Sequence, residues 1–231
     1  MSSSIYKIKS PANGSVLGEI EYFQEKDIPV YVDKARKALR SWRHSVPHER
    51  AKILKKASRK LISIKKELEI LHSKESGKIL TQSKKEILGA SNLLEANAHL
   101  GVFESGKIAP TGALPNGERD LTIIERVPLG IIVCVIPFNF PIELTFEKAA
   151  AAIASGNVVL LKPPPQNPLA TMMAAEIFNK SGLPKDVLQV LPGSNKFSSV
   201  LCSHPNIDAV SLTGSPNAGI SLAKSTAQFL R

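Results

Sequence analysis

The sequence is poor in cysteine and in aromatic residues. Its two cysteines, Cys134 and Cys202, form no C-x-x-C pair and no disulfide framework, which favours a reducing compartment. Aromatic residues make up only 5% of the chain, which leaves few stacking platforms for nucleic acid. The first residues contain no apolar signal core, and no apolar run approaches the roughly 18 residues of a membrane span. We therefore expect a cytoplasmic protein with no membrane partner.

Positive charge exceeds negative charge, and the formal net charge is +10. A nucleic-acid-binding protein would cluster this charge beside aromatic residues or a known motif, whereas here it alternates with apolar residues, as on a solvated helix face. We therefore expect no nucleic-acid partner, and only salt-sensitive binding to DNA or RNA would reverse that expectation. The five histidines are scattered, and Pro47 separates the only pair with an i, i+4 spacing, His44 and His48. No metal site is expected.

The first half of the chain carries turn signals and amphipathic patterns. Residues 5–9 and 16–21 flank the turn dipeptide Asn13-Gly14 and predict a hairpin. Apolar spacings of three, four and seven predict helices over residues 33–44, 49–71 and about 80–103. Residues 105–127 are rich in glycine and proline, end in the β-prone LTIIERV, and predict a second hairpin.

A strand–helix–strand unit is predicted in the middle of the chain. Residues 130–136 (GIIVCVI) are uncharged and mostly β-branched, as in a strand buried on both faces of a parallel sheet. Residues 141–155 predict a helix, and residues 158–161 predict the next strand. Ligands of such sheets bind at the carboxyl ends of the strands, where Asn139 and Lys162 follow. Asn139 is equally a candidate turn or cap residue, and Lys162 a candidate solvated loop lysine.

The last quarter of the chain continues the alternation of helices and strands. Residues 169–179 and 197–203 predict helices, and residues 207–212 predict a strand. A turn bearing Gly214 follows that strand, and Gly219 lies in the predicted helix after it. Such a turn exposes backbone N–H groups at a helix N-terminus, which suits a phosphate. The alternative is an ordinary helix start that is capped by Ser215.

A resemblance to the aldehyde dehydrogenase superfamily is carried by the run ERVPLGIIVCVIPFNFPIELTFEKAAAAIASGNVVLLKP. It is similar to that family's P-(W/F)-N-(F/Y)-P loop, the helix after it, and its G-N-x-V-(V/L)-x-K-P segment. GLPKDVLQVLPG and SLTGSPNAG resemble its third strand and its F-T-G-S-x-x-x-G motif. The resemblance implies a Rossmann-like, doubly wound, mostly parallel α/β sheet with N-terminal helices and a protruding hairpin. Three domains are implied. Residues 1–104 pack on the cofactor domain, residues 105–127 form the projecting hairpin of an oligomer, and residues 128–231 are the dinucleotide-binding core.

The resemblance also implies roles for individual residues. Asn139 would be the side-chain donor of an oxyanion hole, and Lys148 matches a helix lysine linked to proton movement near the active site. Lys162 would contact the adenosine ribose of NADP or NAD, and Ser215 the pyrophosphate. The implied cofactor-binding residues are Ile136, Pro137, Phe138, Asn139, Lys162, Pro163, Pro165, Gly193, Thr213, Gly214, Ser215 and Gly219.

One departure from the family concerns the choice of cofactor. Many NAD-preferring members read K-P-S-E, and the glutamate binds the ribose hydroxyls. This chain has Pro165 at the position of that glutamate. A carboxylate there would repel a 2′-phosphate, so we expect NADP to be tolerated and even preferred.

A second departure concerns the nucleophile. The family's E-L-G-G segment and nucleophilic cysteine do not occur before Arg231, so we expect a truncated chain that lacks the catalytic domain and is inactive alone. Cys134 lies within a strand and should be inert. Cys202 could be more exposed and could pair with His204, two residues away, but we favour a structural cysteine beside a loop histidine. An aldehyde substrate would then need the missing domain, and a homo-oligomer would form through the hairpin. The alternative is a non-catalytic nucleotide-binding or interaction module that retains the fold.

Overall fold

The computed structural model describes residues 5–103, 106–109 and 121–229. The strands of this part are β1 (Ile5–Lys9), β2 (Val16–Glu21), β3 (Lys107–Ala109), β4 (Thr122–Ile124), β5 (Ile131–Val135), β6 (Val158–Lys162), β7 (Leu188–Val190) and β8 (Ala209–Leu212). The helices are α1 (Ile28–Trp42), α2 (Pro47–Ser63), α3 (Lys65–Ser76), α4 (Leu80–Phe103), α5 (Pro141–Ala154), α6 (Pro168–Lys180), α7 (Asn195–Cys202) and α8 (Pro216–Thr226). Of these helices, none combines the length and the apolar character that crossing a membrane requires.

The central sheet has four parallel strands in the order β7-β6-β5-β8. Within this sheet the chain passes first through β5, then outward through β6 and β7, and it returns to the other side of β5 with β8. This is the order of a doubly wound Rossmann-like sheet, so the predicted fold is confirmed. At the carboxyl end of β5, Val135 pairs with Lys162 on one side and with Leu212 on the other.

The helices form layers around this sheet. Helices α5 and α6 connect strands of one half and cover one face, and α2, α3 and α4 pack on top of them. Because β8 lies on the opposite side of β5, the crossover through α7 runs over the opposite face, which α1 also covers. A single apolar core runs through these layers from Ile28 to Ile207.

The structure divides one helix predicted from the sequence and pairs the strands of the second predicted hairpin. The helix predicted over residues 49–71 is wrong as a single element, because α2 ends at Ser63 and α3 begins at Lys65. Ile64 between them has φ −101° and ψ 6°, outside the helical region. The second hairpin is confirmed in its paired strands, with Lys107 opposite Ile124, while its connecting residues 110–120 lie outside the described residues.

The amino-terminal ends of β5 and β8 are joined by a close approach at Gly130. Its φ of +137° suits glycine alone, and an added Cβ would lie 2.1 Å from Oδ2 of Asp208. The same oxygen accepts a hydrogen bond from the Ile131 N–H at 2.7 Å, and Arg36 lies 3.0 Å from it. This contact joins the starts of the neighbouring strands β5 and β8.

Buried charged side chains from the N-terminal helices form hydrogen bonds with the backbone at both ends of α5. Oε1 of Glu86 accepts from the Ile142 N–H at 2.9 Å, and Nε of Arg50 donates to the Ala154 carbonyl at 2.7 Å. The carboxylate therefore lies at the positive end of the helix dipole and the guanidinium at the negative end. Both side chains come from the layer that covers α5.

A second carboxylate closes the N-terminus of α6. The two carboxylate oxygens of Glu75 accept from the N–H groups of Leu169 and Ala170, at 2.6 and 2.8 Å. Glu75 is 3% exposed, and burial raises its pKa to about 7 although both hydrogen bonds favour the ionised form. The helix start is thus stabilised by a group that titrates near neutrality.

Glu75→Gln should remove a pH dependence of folding. The folded pKa of about 7 lies above the unfolded value of 4.5, so the stability linked to this group is full below pH 4.5 and is lost as the pH rises through 7. As the pH rises from 4.5 to 7, the free energy of unfolding of the variant should therefore increase relative to that of the wild type, by up to roughly 3 kcal/mol. Urea unfolding from pH 5 to 8 measures it. Glu67→Gln, at an exposed position of α3, is the control, and parallel curves for E75Q and wild type would contradict the assignment.

Candidate functional site

A cleft of about 440 Å³ lies at the carboxyl edge of the sheet. The segments after β5, β6 and β8 form its floor, and α7 and the first turns of α8 form its walls. It is therefore at the position where parallel sheets of this topology bind ligands. The residues predicted from the sequence that line it are Ile136, Pro137, Phe138, Lys162, Pro165, Thr213, Gly214 and Ser215.

Lys162 supplies the charge of this cleft. The residue is only 2% exposed at the last position of β6, which rules out a solvated loop lysine. Desolvation lowers its pKa to about 8, and the nearby Cys202 opposes that shift. Among the described residues, no ion pair involves Lys162, and no aspartate or glutamate lines the cleft. A buried cation without a neighbouring carboxylate carries an uncompensated charge that an anion could neutralise.

The N-terminus of α8 provides hydrogen-bond donors for that anion. Oγ of Ser215 accepts from the Ala218 N–H at 3.2 Å, so the helix-cap interpretation of Ser215 is confirmed. In the described part of the chain, the backbone N–H groups of Gly214, Ser215 and Asn217 have no protein acceptor. By contrast, carboxylates occupy the N-termini of α5 and α6. The start of α8 is therefore open at this edge of the sheet, as is the start of α7, which Ser194 caps.

Two side-chain contacts hold the loops of the cleft, and the sequence did not reveal them. Nδ2 of Asn167 donates to the Phe138 carbonyl at 2.9 Å and joins the loops after β5 and β6. The hydroxyl of Tyr22, in the segment after β2, donates to the Pro165 carbonyl at 3.1 Å. Each contact joins residues far apart in the chain, so no local pattern announces it.

Two predicted catalytic residues lie outside the lining of the cleft. Asn139 is exposed on the loop before α5, and its Oδ1 accepts from the Phe140 N–H at 3.1 Å. The Lys148 side chain is 8% exposed within α5, with Nζ 4.0 Å from the Glu147 carboxylate. The structure brings Asn139 next to the cleft-lining Phe138 and gives no contact between Asn139 and Lys148 in the described residues.

Three predicted cofactor residues also lie outside the lining. Pro163, the first residue after β6, is buried. Gly193 is buried where an added Cβ would lie 2.5 Å from the ring of Phe197, so its small size serves packing. An added Cβ at Gly219 would meet nothing within 4 Å, which leaves open space beside the first turns of α8.

Both cysteines are buried. Burial raises the pKa of Cys134, in the middle of β5, to about 12, as expected for an inert thiol. Cys202 is a structural cysteine, as favoured from the sequence, and the alternative of an exposed thiol is wrong. The residue is 1% exposed, because α7 packs against β5 and turns this side chain inward beside Lys162. Within the described ranges, no group of three or more histidine, cysteine, aspartate or glutamate side chains is placed to hold a metal ion.

Comparison with known proteins identifies the family. The sequence matches the profile described as "Aldehyde dehydrogenase family" over residues 1–231. This chain belongs to the aldehyde dehydrogenase family. It is 30% identical over 221 residues to the NADP-dependent glyceraldehyde-3-phosphate dehydrogenase of Streptococcus equinus, covering 95% of this chain and 46% of that protein. It is 32% identical over 202 residues to the 3-sulfolactaldehyde dehydrogenase of Priestia aryabhattai, covering 87% and 42%.

Solved structures agree with this assignment. An E. coli NADP-dependent enzyme superposes with a TM-score of 0.94 at 29% identity, covering 99% of this aldehyde dehydrogenase chain and 47% of that one. The NADP-dependent glyceraldehyde-3-phosphate dehydrogenase of Bacillus halodurans C-125, complexed with NADP, superposes with a TM-score of 0.93 at 25% identity, covering 96% and 47%. The chain spans about half the length of the relatives it matches.

Lys162→Met should stabilise this aldehyde dehydrogenase chain. The folded pKa of about 8 lies below the unfolded value of 10.5, so stability rises with pH between these values and is lower below pH 8. Methionine keeps the apolar stem and removes the buried charge. The free energy of unfolding in urea at pH 7 should rise by up to roughly 3 kcal/mol, and the difference should shrink toward pH 10.

The control for that substitution is Lys180→Met, at an exposed position at the end of α6, which should change stability by less than about 0.5 kcal/mol. If Lys162→Met unfolds more easily than wild type at pH 7, the ammonium makes a stabilising contact and is not held for a ligand.

Proposed function

We propose that this chain is the dinucleotide-binding part of an NAD(P)-dependent aldehyde dehydrogenase that oxidises an aldehyde to a carboxylic acid. The observation that carries the proposal is the cleft at the carboxyl ends of β5, β6 and β8, with one buried cation and an open helix start on its wall. The named relatives support the same assignment, since two are NADP-dependent glyceraldehyde-3-phosphate dehydrogenases and one is a 3-sulfolactaldehyde dehydrogenase.

The donors of the cleft fit a dinucleotide in one orientation. The N–H groups of Gly214, Ser215 and Asn217 suit the pyrophosphate, because they have no acceptor among the described residues and lie at a helix start that lines the cleft. Lys162 lies at the end of β6, which β5 separates from β8, and it suits the adenosine ribose or its phosphate. Pro137 and Phe138, on the loop after β5, are left for the nicotinamide end of the cleft.

NADP is the cofactor that these charges favour. The adenosine end contains the buried cation Lys162 and no carboxylate, and Pro165 offers no acceptor side chain to the ribose hydroxyls. A 2′-phosphate adds up to two negative charges next to this cation, in a site with reduced access to water. NAD lacks that phosphate and gains nothing equivalent from the residues present.

The chemistry at the nicotinamide end requires an oxyanion donor. When bound, the nicotinamide ring accepts a hydride from the substrate carbon. The amide of Asn139, exposed beside Phe138, would donate to the carbonyl oxygen as negative charge develops there. We assign Lys148 a role in proton movement only through its family position, and its buried ammonium lies on the helix that follows Asn139.

We propose that neither of the two thiols of this chain is the nucleophile and that another part of the protein supplies it. Cys134 is fully buried with its pKa raised to about 12, and Cys202 is 1% exposed. A thiol that attacks an aldehyde must be ionised and must reach the substrate. This part of the protein then supplies cofactor binding and the Asn139 amide.

We further propose that the hairpin of β3 and β4 bridges subunits of a homo-oligomer. Its strands expose apolar side chains at Ile108, Ile123 and Ile124, which are 73%, 63% and 50% exposed. Exposed isoleucines on a paired β-ribbon are typical of a surface that another subunit covers. The low cysteine content favours a reducing compartment, and we place the protein in the cytoplasm.

Calorimetric titration with NADP and NAD tests the binding proposal. NADP should bind with an affinity at least equal to that of NAD, and Lys162→Met should weaken NADP binding more than tenfold at pH 7. Because the pKa of Lys162 is about 8, the affinity of the wild type for NADP should fall about tenfold between pH 7 and 9. In the Lys162→Met variant this fall should be absent.

Lys180→Met serves as the control, because it removes an exposed lysine far from the lining residues. NAD binding more than about tenfold tighter than NADP would contradict the choice of cofactor. Absence of binding to both nucleotides would contradict the proposed function of this chain.

Turnover by the isolated chain tests the assignment of the nucleophile. Purified wild type, supplied with NADP and either glyceraldehyde 3-phosphate or an unphosphorylated aldehyde, should form no NADPH above the aldehyde-free blank, because both thiols are buried. Cys202→Ala and Cys134→Ala are the matched variants. NADPH formation that Cys202→Ala abolishes would identify Cys202 as the nucleophile.

A further inference from the structure

A charged cluster lies outside the cleft, at the junction of α3 and α4. Glu86, on α4, is 2% exposed, and its Oε2 lies 2.8 Å from Nε2 of His72 and 2.5 Å from Nζ of Lys78. Burial alone would raise the pKa of Glu86, but the hydrogen bonds and charges of His72 and Lys78 outweigh it, and the pKa lies below its usual value. The carboxylate is therefore held ionised in the interior.

The same cluster contacts the start of α5. Oε1 of Glu86 accepts from the N–H groups of Ile142 and Glu143, at 2.9 and 3.4 Å. The ammonium of Lys78 lies 3.7 Å from the centroid of the Phe140 ring. These three contacts fall on Phe140, Ile142 and Glu143, at the end of the loop that carries Phe138 and Asn139.

That loop has few restraints of its own. Phe138 and Phe140 are 59% and 47% exposed, and the hydrogen bond found for the Asn139 side chain is to its neighbour Phe140. Asn167 holds the loop at the Phe138 carbonyl, near its start. The far end is held by Glu86 through the backbone and by Lys78 through the Phe140 ring.

We propose that Glu86 and Lys78 are positioning residues that fix the 138–140 loop, and with it the Asn139 amide, by joining a buried carboxylate at the α5 N-terminus to a cation on the Phe140 ring. Lys78 connects the two restraints, because its ammonium contacts both the carboxylate and the ring. Only the catalytic meaning of this placement rests on the proposed function.

The geometry explains why a lysine occupies this position. A carboxylate alone would hold the helix start and leave the loop free to turn about Pro141. A cation on the aromatic face adds a directional contact, since the ring attracts positive charge at its centre. Removing the ammonium should therefore loosen the loop while the rest of α5 stays in place.

Hydrogen–deuterium exchange of the 231-residue chain tests this placement. In Lys78→Met, two amides should exchange about tenfold faster than in wild type, as expected for loss of a cation–π contact. They are the Phe140 amide, which donates to Oδ1 of Asn139, and the Leu144 amide, which donates to the Phe140 carbonyl at 3.0 Å. The central amides of α4 and α5 should keep their protection. Lys78→Arg retains a cation that can stack on the ring and should restore most of the protection.

Two further variants separate positioning from general stability. Lys74→Met, at an exposed position of α3, should leave exchange unchanged. Glu86→Gln should release the amides of Ile142 and Glu143 as well as the loop, because it removes the charge that holds Lys78. Urea unfolding of each variant reports whether the fold as a whole has weakened.

NADP titration gives the functional arm. Since Phe138 lines the cleft, Lys78→Met should weaken NADP binding several-fold, and Lys78→Arg should restore it. Unchanged loop exchange in Lys78→Met, or faster exchange throughout α4 and α5 that Lys78→Arg does not restore, would overturn the proposal. If the wild type binds no NADP, the proposed function fails, and the exchange measurements still decide whether the cluster positions the loop.

Discussion

The burial of α5 on both sides is the constraint on which the rest of the structure depends. This helix lies between the sheet and the layer of N-terminal helices, and Ile142 and Ala154 at its ends are buried. A helix leaves N–H groups at its start and carbonyls at its end without internal partners, and burying them unpaired is costly. Glu86 and Arg50 meet this need with charges of the sign that the helix dipole favours. The N-terminal helices are therefore part of the structure that supports the cleft.

The same device determines where an anion can bind. Several helix N-termini point to the carboxyl edge of the sheet, and each is a potential phosphate site. Carboxylates of Glu86 and Glu75 close the starts of α5 and α6, and the cap by Ser215 leaves neighbouring donors of α8 open. The ionised carboxylate of Glu86 also disfavours a phosphate at the start of α5. The carboxylates that close these two helix starts do not line the cleft.

The sheet and the cleft could be predicted from the sequence because local patterns encode them. The uncharged β-branched run of β5 and the Ala-rich segment of α5 leave few alternatives, and the order of a parallel sheet brings the strand ends together. The break at Ile64 was missed because the apolar spacing continues across it without a proline or glycine. Glu86 left a usable signal: it follows Ser83 by three residues and precedes Ala90 by four, so a carboxylate stands on the buried face of α4.

Lys162 shows a conflict between folding and ligand binding. A buried ammonium without a carboxylate beside it destabilises the folded chain, and its pKa of about 8 records that cost. A neighbouring glutamate would relieve the strain on the charge but would also repel a phosphate. A bound dinucleotide offsets the cost, because a ligand that binds only the folded state adds stability in proportion to the logarithm of its concentration over Kd. The folded state should therefore depend on cofactor concentration more strongly than in a homologue whose cleft is neutral.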